Sequence, residues 1–426
     1  MYSKFFDREP IMMVGIGSFD ELNIKTSVGE NICVSIVDGK LFSEGLGKSL
    51  DGIYLRGGRD DDSYMEIPGV EIGIGFHWSR KETQRFKGDF MLRYIDGKIL
   101  VINYIPVEMY LQSVISSEMN GDCPKELLKA HAVISRSWAL NRMDGGVPSY
   151  QKPYISDYEI RTWYDNGVHK LFDVCADDHC QRYQGVTRAV NPNVKTAIEE
   201  TYGEILVYHN EICDTRFSKC CGGASELFEN CWQDKHYDYL EKIDDFNENF
   251  TEDLTVEENA VKFIKSSPKA YCNTSDKKLL SKILNSYDNE YSDFYRWKIS
   301  YTFEELSEIV KEKSGEDYGK ILDLIPLQRG TSGRIFRLKI VGEKKTKIVG
   351  KELEIRRLLS KTHLYSSAFT VEKNSDGFSL YGAGWGHGVG LCQIGAAVMA
   401  EQGFNYVDIL KHYYKGANLL KCYNED

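Results

Sequence analysis

The sequence predicts an α+β protein, strand-rich, built as two lobes with a helical element inserted. Three observations carry this. β-rich segments dominate the first 105 residues and return over 321–382. The apolar period changes from two to about four near Pro106, as a helix requires. Between them, 244–320 is charged and helix-like. The regions expected are 1–80, an N-terminal β-rich part; 81–243, a central part; 244–320, the insertion; and 321–426, a C-terminal β/α part.

Taken in order, "PIMMVGI", "ICVSIVDGKLF" and "GVEIGIGF" read as strands. "DFMLRYIDGKILVINYI" reads as two strands around Asp96-Gly97, a strong hairpin signal. Pro106 suits a first helical position, Leu111, Val114 and Ile115 form an apolar stripe, and "NG" at 120–121 ends the helix. A second helix opens at Pro124, with Leu127, Ile134 and Trp138 facing the core. Residues 143–200 are irregular, and "EILVYHNEICDTRFS" is another hairpin. Thr302 and Glu305 match a capping box, and "NYVD" at 405–408 starts the last helix.

Composition excludes some partners. With 42% hydrophobic and 27% charged residues the 426-residue chain is globular. Its net charge of −11 repels a polyanion, so nucleic acid is excluded, while 27 Tyr and 6 Trp suit stacking on sugars. No run approaches the roughly twenty apolar residues of a membrane span, so no transmembrane segment is expected. The opening "MYSKFFDREPIMMVGIG" has no apolar signal core, and the chain as written is expected to be soluble. Eleven Cys are many for a cytosolic protein and few for a disulfide scaffold.

Three features carry chemistry. Glu118 continues the Leu111, Val114, Ile115 stripe at helical spacing. A carboxyl there is partly desolvated, which favours the protonated form that a general acid needs; a frayed, solvated helix end is the bland alternative. "HKLFDVCADDHC" places His169, Cys175, His179 and Cys180 within twelve residues, a set that suits structural zinc, although Cys175 and Cys180 are also a possible disulfide. Cys213, Cys220, Cys221 and Cys231 form a second cluster with the same ambiguity. Finally, "LYGAGWGHGVGLCQIGAA" has glycine at every second position from Gly382 to Gly390. An extended chain of this pattern bares one face to a ligand or to a packed strand, with Trp385 and His387 opposite. No Gly-Lys-Ser/Thr follows, which excludes a phosphate loop.

Together, "YLQSVISSEMNGDCPKELLKAHAVISRSWAL", "FSKCCGGASELFENCW" and "GAGWGHGVGLCQIGAAVMAEQGFNYVDILKHYYKGANL" resemble the stage II sporulation protein D family, also called SpoIID/LytB, over about 90–420. The resemblance implies a peptidoglycan lytic transglycosylase, acting outside the cytoplasm on MurNAc-GlcNAc glycan strands, peptide-stripped ones included, in a cleft between the Glu118 region and the glycine segment. Its implied acid/base is the glutamate of Ser-Glu-Met, here Glu118, with Ser117, Arg136, Ser218, Gly222, Trp385, Gly386, His387 and Gln393 around glycan and acid. It also implies structural zinc on His169, Cys175, His179 and Cys180. His131 stands where the family commonly has Gln, and Cys392, Gln393 and Ile394 where it has Ser-Gln-Tyr. Two rival expectations are a non-catalytic enhancer that binds glycan and stimulates a cell-wall amidase, and a hydrolase in which a second carboxylate such as Asp122 activates water.

Overall fold

The Asp96-Gly97 signal marks a tight hairpin. Ile95 pairs with Lys98, and Asp96 and Gly97 adopt φ of 49° and 82°. That left-handed pair is the two-residue turn whose twist matches the strands it joins. "ICVSIVDGKLF" does the same at Asp38-Gly39, so it is two strands, Asn31–Val37 and Lys40–Ser43, where one run was expected. The computed structural model describes residues 5–45, 47–49, 52–60, 62–74, 79–143, 152–163, 169–177, 179–187, 191–246, 252–284 and 293–424. The end of "GVEIGIGF" lies outside them.

The strand Ile11–Phe19 lies between Lys98–Pro106, antiparallel, and the short Val174–Cys175, parallel, in a five-stranded sheet that continues through Asp89–Ile95 to Ile53–Leu55. Alternate residues Met12 and Val14 of the Ile11–Phe19 strand are fully buried. This pairing corrects the boundary expected at 80, because the first strand completes a sheet whose other members come from the central part.

Chain leaving Lys98–Pro106 enters helix α1, Val107–Glu118. Pro106 is its N-cap, one position earlier than expected, with φ −55° and ψ 142°. Its neighbour Val107 donates its N–H to the Pro10 carbonyl and Glu108 donates to Glu9 Oε1, which satisfies two free donors of the first turn. Helix α2, Lys125–Met143, packs beside α1 and buries Leu127, Ile134 and Trp138 as expected. Between the two helices, Arg136 donates to both oxygens of Glu108, at 2.9 and 2.6 Å.

One apolar core runs from Met12 to Tyr423 through both helices. A second is built from Trp297, Leu306, Val310, Ile321, Leu338, Phe369 and Leu380, among others. Residues on both sides of 320 build this second core, which corrects the expected insertion. Arg296–Thr302 pairs along its whole length with Gly377–Ala383, and the helix Phe303–Ser314 covers them. The capping box expected at Thr302 is present, with both reciprocal bonds. Asn405 caps Tyr406–Tyr413 as its sequence requires, by accepting from Asp408 N–H at 3.0 Å. The architecture is α+β, and no helix among the described residues is long and apolar enough to cross a membrane.

Candidate active site

Glu118 is the last residue of α1. Leu111, Val114 and Ile115 below it are fully buried, while Glu118 itself is half-buried, so the stripe delivers a carboxyl to the edge of the core. The backbone N–H of Arg182 donates to Glu118 Oε1 at 3.0 Å. From another direction Lys219 donates through Nζ to the Glu118 carbonyl at 3.3 Å. Sequence reasoning missed Lys219, although it stands inside "FSKCC", directly after Ser218.

Around Lys219 the three sequence stretches meet. The short strand Phe217–Ser218 pairs in parallel with Leu391–Cys392. Gln393, which opens the next helix, donates through Nε2 to His131 Nε2 of α2 at 3.0 Å. His131 is fully buried, and burial and then the Lys219 ammonium bring its pKa down to about 3. The ring is therefore neutral, accepting from Gln393 and donating through Nδ1 to Ser135 Oγ at 3.1 Å. It is a satisfied core histidine, with no proton to spare for chemistry.

This arrangement fixes a pH dependence. Unfolded His131 takes up a proton below its ordinary value near 6.5, whereas folded His131 does not until about 3. The unfolded state therefore binds more protons between those limits, and stability falls as pH falls through that window. Wild type is expected to lose up to about 1.4 kcal/mol per pH unit relative to His131→Gln across it. Urea unfolding at pH 7, 5 and 4 measures the difference; parallel profiles would reject it.

The glycine run departs from expectation. Only Gly377–Ala383 is strand, and beyond it Gly384, Gly386, Gly388 and Gly390 have φ of 76°, 98°, 79° and 70°. Alternate residues in the left-handed region make a winding ribbon, and its bare positions are occupied by protein. A Cβ on Gly388 would lie 2.4 Å from the Arg334 guanidinium carbon, and one on Gly390 would lie 2.0 Å from the Arg216 carbonyl oxygen. Gly390→Ala is expected to destabilise by about 1–3 kcal/mol from the left-handed strain alone, with the clash added. A denaturant midpoint equal to wild type would contradict this.

The expected glycan contacts divide accordingly. Trp385 is half-buried, stacks on Tyr365 at 4.2 Å between centroids, and bonds through its backbone to Cys220, next to Lys219. Ser218 is buried with its Cβ 3.0 Å from the site of a Cβ on Gly386, and its Oγ has no hydrogen-bond partner among the described residues. Ser117, beside Glu118, is fully buried. Three others have structural contacts in the fold. His387 accepts the Val389 N–H through Nδ1, interacts with the Phe217 backbone, and is pushed well below the usual histidine range by burial and the cations of Arg216, Arg356 and Arg334. Gly222 lets the Cys-Cys-Gly-Gly turn close on Gly384. Arg136 is committed to Glu108 in the first turn of α1, ten residues, or about 15 Å of helix, from Glu118.

His169, Cys175, His179 and Cys180 do come together. His169 Nε2 is 3.3 Å from Cys180 Sγ, and His179 Nδ1 lies 3.6 and 4.0 Å from the Cys180 and Cys175 sulfurs. A tetrahedral zinc with bonds of about 2.0 Å to nitrogen and 2.3 Å to sulfur places those atoms about 3.5 Å apart, so the donor set fits the ion. Hydrogen bonding from Cys180 and the two imidazoles draws the Cys175 thiol far below its ordinary range. Arg182, whose N–H holds Glu118, follows Cys180 by two residues. The second expected cluster does not form. Cys213 and Cys231 are not part of it, and Cys221 instead meets the thiol of Cys272 at 3.6 Å.

Comparison with known proteins finds relatives over most of the chain. The model of the stage II sporulation protein family matches residues 95–208, which hold Glu118 and the His/Cys loop. The chain is 24% identical over 324 residues to stage II sporulation protein D of Bacillus amyloliquefaciens, covering 75% of this chain and 76% of the relative. Over residues 95–208 the chain carries a stage II sporulation protein domain. An amidase enhancer of Bacillus subtilis is 26% identical over 320 residues, 72% of this chain and 40% of that protein. An uncharacterized protein of Brachyspira hyodysenteriae is 27% identical over 336 residues, 79% of this chain and 72% of that protein. Residues 226–390 also match a domain of unknown function, DUF8618. That region includes the second core and the glycine ribbon.

Proposed function

We propose that this protein is a peptidoglycan lytic transglycosylase that cuts MurNAc-GlcNAc strands outside the cytoplasmic membrane, with Glu118 as its single acid and base. The observation that carries this is a carboxyl delivered by an apolar helix to the edge of the core and aimed by one backbone N–H. Neutral Glu118 gives its proton to the glycosidic oxygen as that bond breaks. The resulting carboxylate takes the proton of the muramic acid 6-hydroxyl as this oxygen closes on C1. Ring closure within one sugar gains from proximity, so no second carboxylate is required. Two-carboxylate hydrolysis needs a partner for Glu118, and Asp122 is exposed and engaged by Asn191 Nδ2 at 2.8 Å. Half-buried Trp385 is the glycan contact of this reading, with Ser218, Ser117 and Gln393 packed behind it.

Structural zinc on His169, Cys175, His179 and Cys180 belongs to this reading. It would fix the turn that places the Arg182 N–H on Glu118. Cys175→Ser with Cys180→Ser is expected to lose that ion and to slow cleavage without removing Glu118. Zinc content and product rate are measured together, and full activity in zinc-free protein would reject the role.

The relative named amidase enhancer supports one second reading, a glycan-binding partner of a cell-wall amidase that cuts nothing itself. Mass spectrometry of intact and peptide-stripped glycan after incubation separates the cases. Anhydro ends establish the transglycosylase, reducing ends a hydrolase, and no new ends the enhancer.

A further inference from the structure

A second set of metal donors is buried where the three sequence stretches converge, and the proposed chemistry does not use it. The sulfurs of Cys221, Cys272 and Cys392 and a carboxylate oxygen of Asp245 all lie within 4.8 Å of one another, and all four residues are buried. Cys221 and Cys272 Sγ are 3.6 Å apart. This is much too far for a disulfide bond, and close to the separation of about 3.8 Å that two sulfurs take on one tetrahedral zinc.

The surroundings are prepared for negative charge. Cys392 Sγ receives the N–H groups of Cys221 and Gly395 at 3.2 and 3.4 Å, and Cys221 Sγ receives that of Gly223 at 3.4 Å. Asp245 is held by the Cys272 N–H at 2.8 Å and by the Tyr413 hydroxyl at 2.6 Å. A Cβ on Gly395 would sit 2.6 Å from Asp245 Oδ1, so glycine there admits the carboxylate to the helix. Burying a carboxylate is costly unless a cation compensates it. Among the described residues no Lys or Arg forms an ion pair with Asp245, and its carboxylate oxygen and the three sulfurs lie close enough to share one metal ion.

We propose that Cys221, Cys272, Cys392 and Asp245 bind a structural zinc ion in a closed tetrahedral site, separate from the His/Cys loop. Three sulfurs and one oxygen suit zinc, and full burial leaves no position open for substrate. The ion would join the Cys-Cys-Gly-Gly turn, the 244–320 segment and the helix that carries Gln393, three parts far apart in the chain.

The test is elemental analysis with zinc X-ray absorption on the full-length protein and on Cys175→Ser with Cys180→Ser, which lacks the loop's sulfurs. The variant is expected to retain one zinc per chain with three sulfur neighbours and one oxygen, and to lose it when Cys272→Ser is added. A variant with no zinc, or a Cys221–Cys272 disulfide found by peptide mapping, would overturn the proposal. Should the variants fail to fold, cobalt exchanged into wild type serves instead. The intensity of the sulfur-to-cobalt band then corresponds to the three thiolates of this site plus the two of the loop; the intensity of two alone overturns it.

Discussion

Glu118→Gln is expected to abolish the release of anhydro ends, by at least roughly 10²–10⁴-fold, while leaving the fold unchanged. The amide oxygen still accepts the Arg182 N–H, so position is retained and only proton transfer is lost. Because Glu118 is proposed to act in both halves of the reaction, the loss should sit in kcat, with glycan binding preserved. Product mass spectrometry, glycan co-sedimentation and a denaturant midpoint read these three quantities. Undiminished anhydro ends in the variant would remove Glu118 from the mechanism. A wild type that makes no ends would instead favour the enhancer reading.

The second large effect concerns stability. Arg136→Met is expected to cost about 3–5 kcal/mol, because it strands the Glu108 carboxylate in the core. Glu108 accepts from Arg136, from the Gly203 N–H at 3.2 Å and from the Tyr423 hydroxyl at 2.6 Å, so the guanidinium is the one cation among these partners, in a node that joins four distant segments. Adding Glu108→Gln should recover part of the loss, since the uncompensated charge is then gone. Urea unfolding of both variants measures this, and a loss below about 1 kcal/mol for Arg136→Met would contradict it. Where the variant is folded, its kcat should match wild type, which distinguishes this stabilising role from the sugar contact expected of Arg136.

What could be read from the sequence was local. The Asp96-Gly97 hairpin, the Thr302 capping box and the Asn405 cap are each set within a few residues, and each is present. The apolar stripe likewise placed Glu118 where helical spacing said it would be. The glycine ribbon was misread because alternation does not report the sign of φ, and a chain at φ near +80° repeats every second residue just as a strand does. Lys219 and the Cys272–Cys392 grouping carry no local signal at all, since their neighbours are supplied by chain remote in sequence. The Glu108–Arg136 pair was hidden for a different reason: two charged residues on two helices give no sign that they will face one another.

The Gln393–His131 contact closes a loop of 262 residues. Pairings of such separation form late and slowly, after local hairpins and helices are in place. A chain lengthening from its N-terminus would thus hold a finished Glu118 helix for most of its synthesis with one wall of the proposed cleft absent. The proposed wall-cutting ability would then arrive only once the segment carrying Gln393 has docked beside His131.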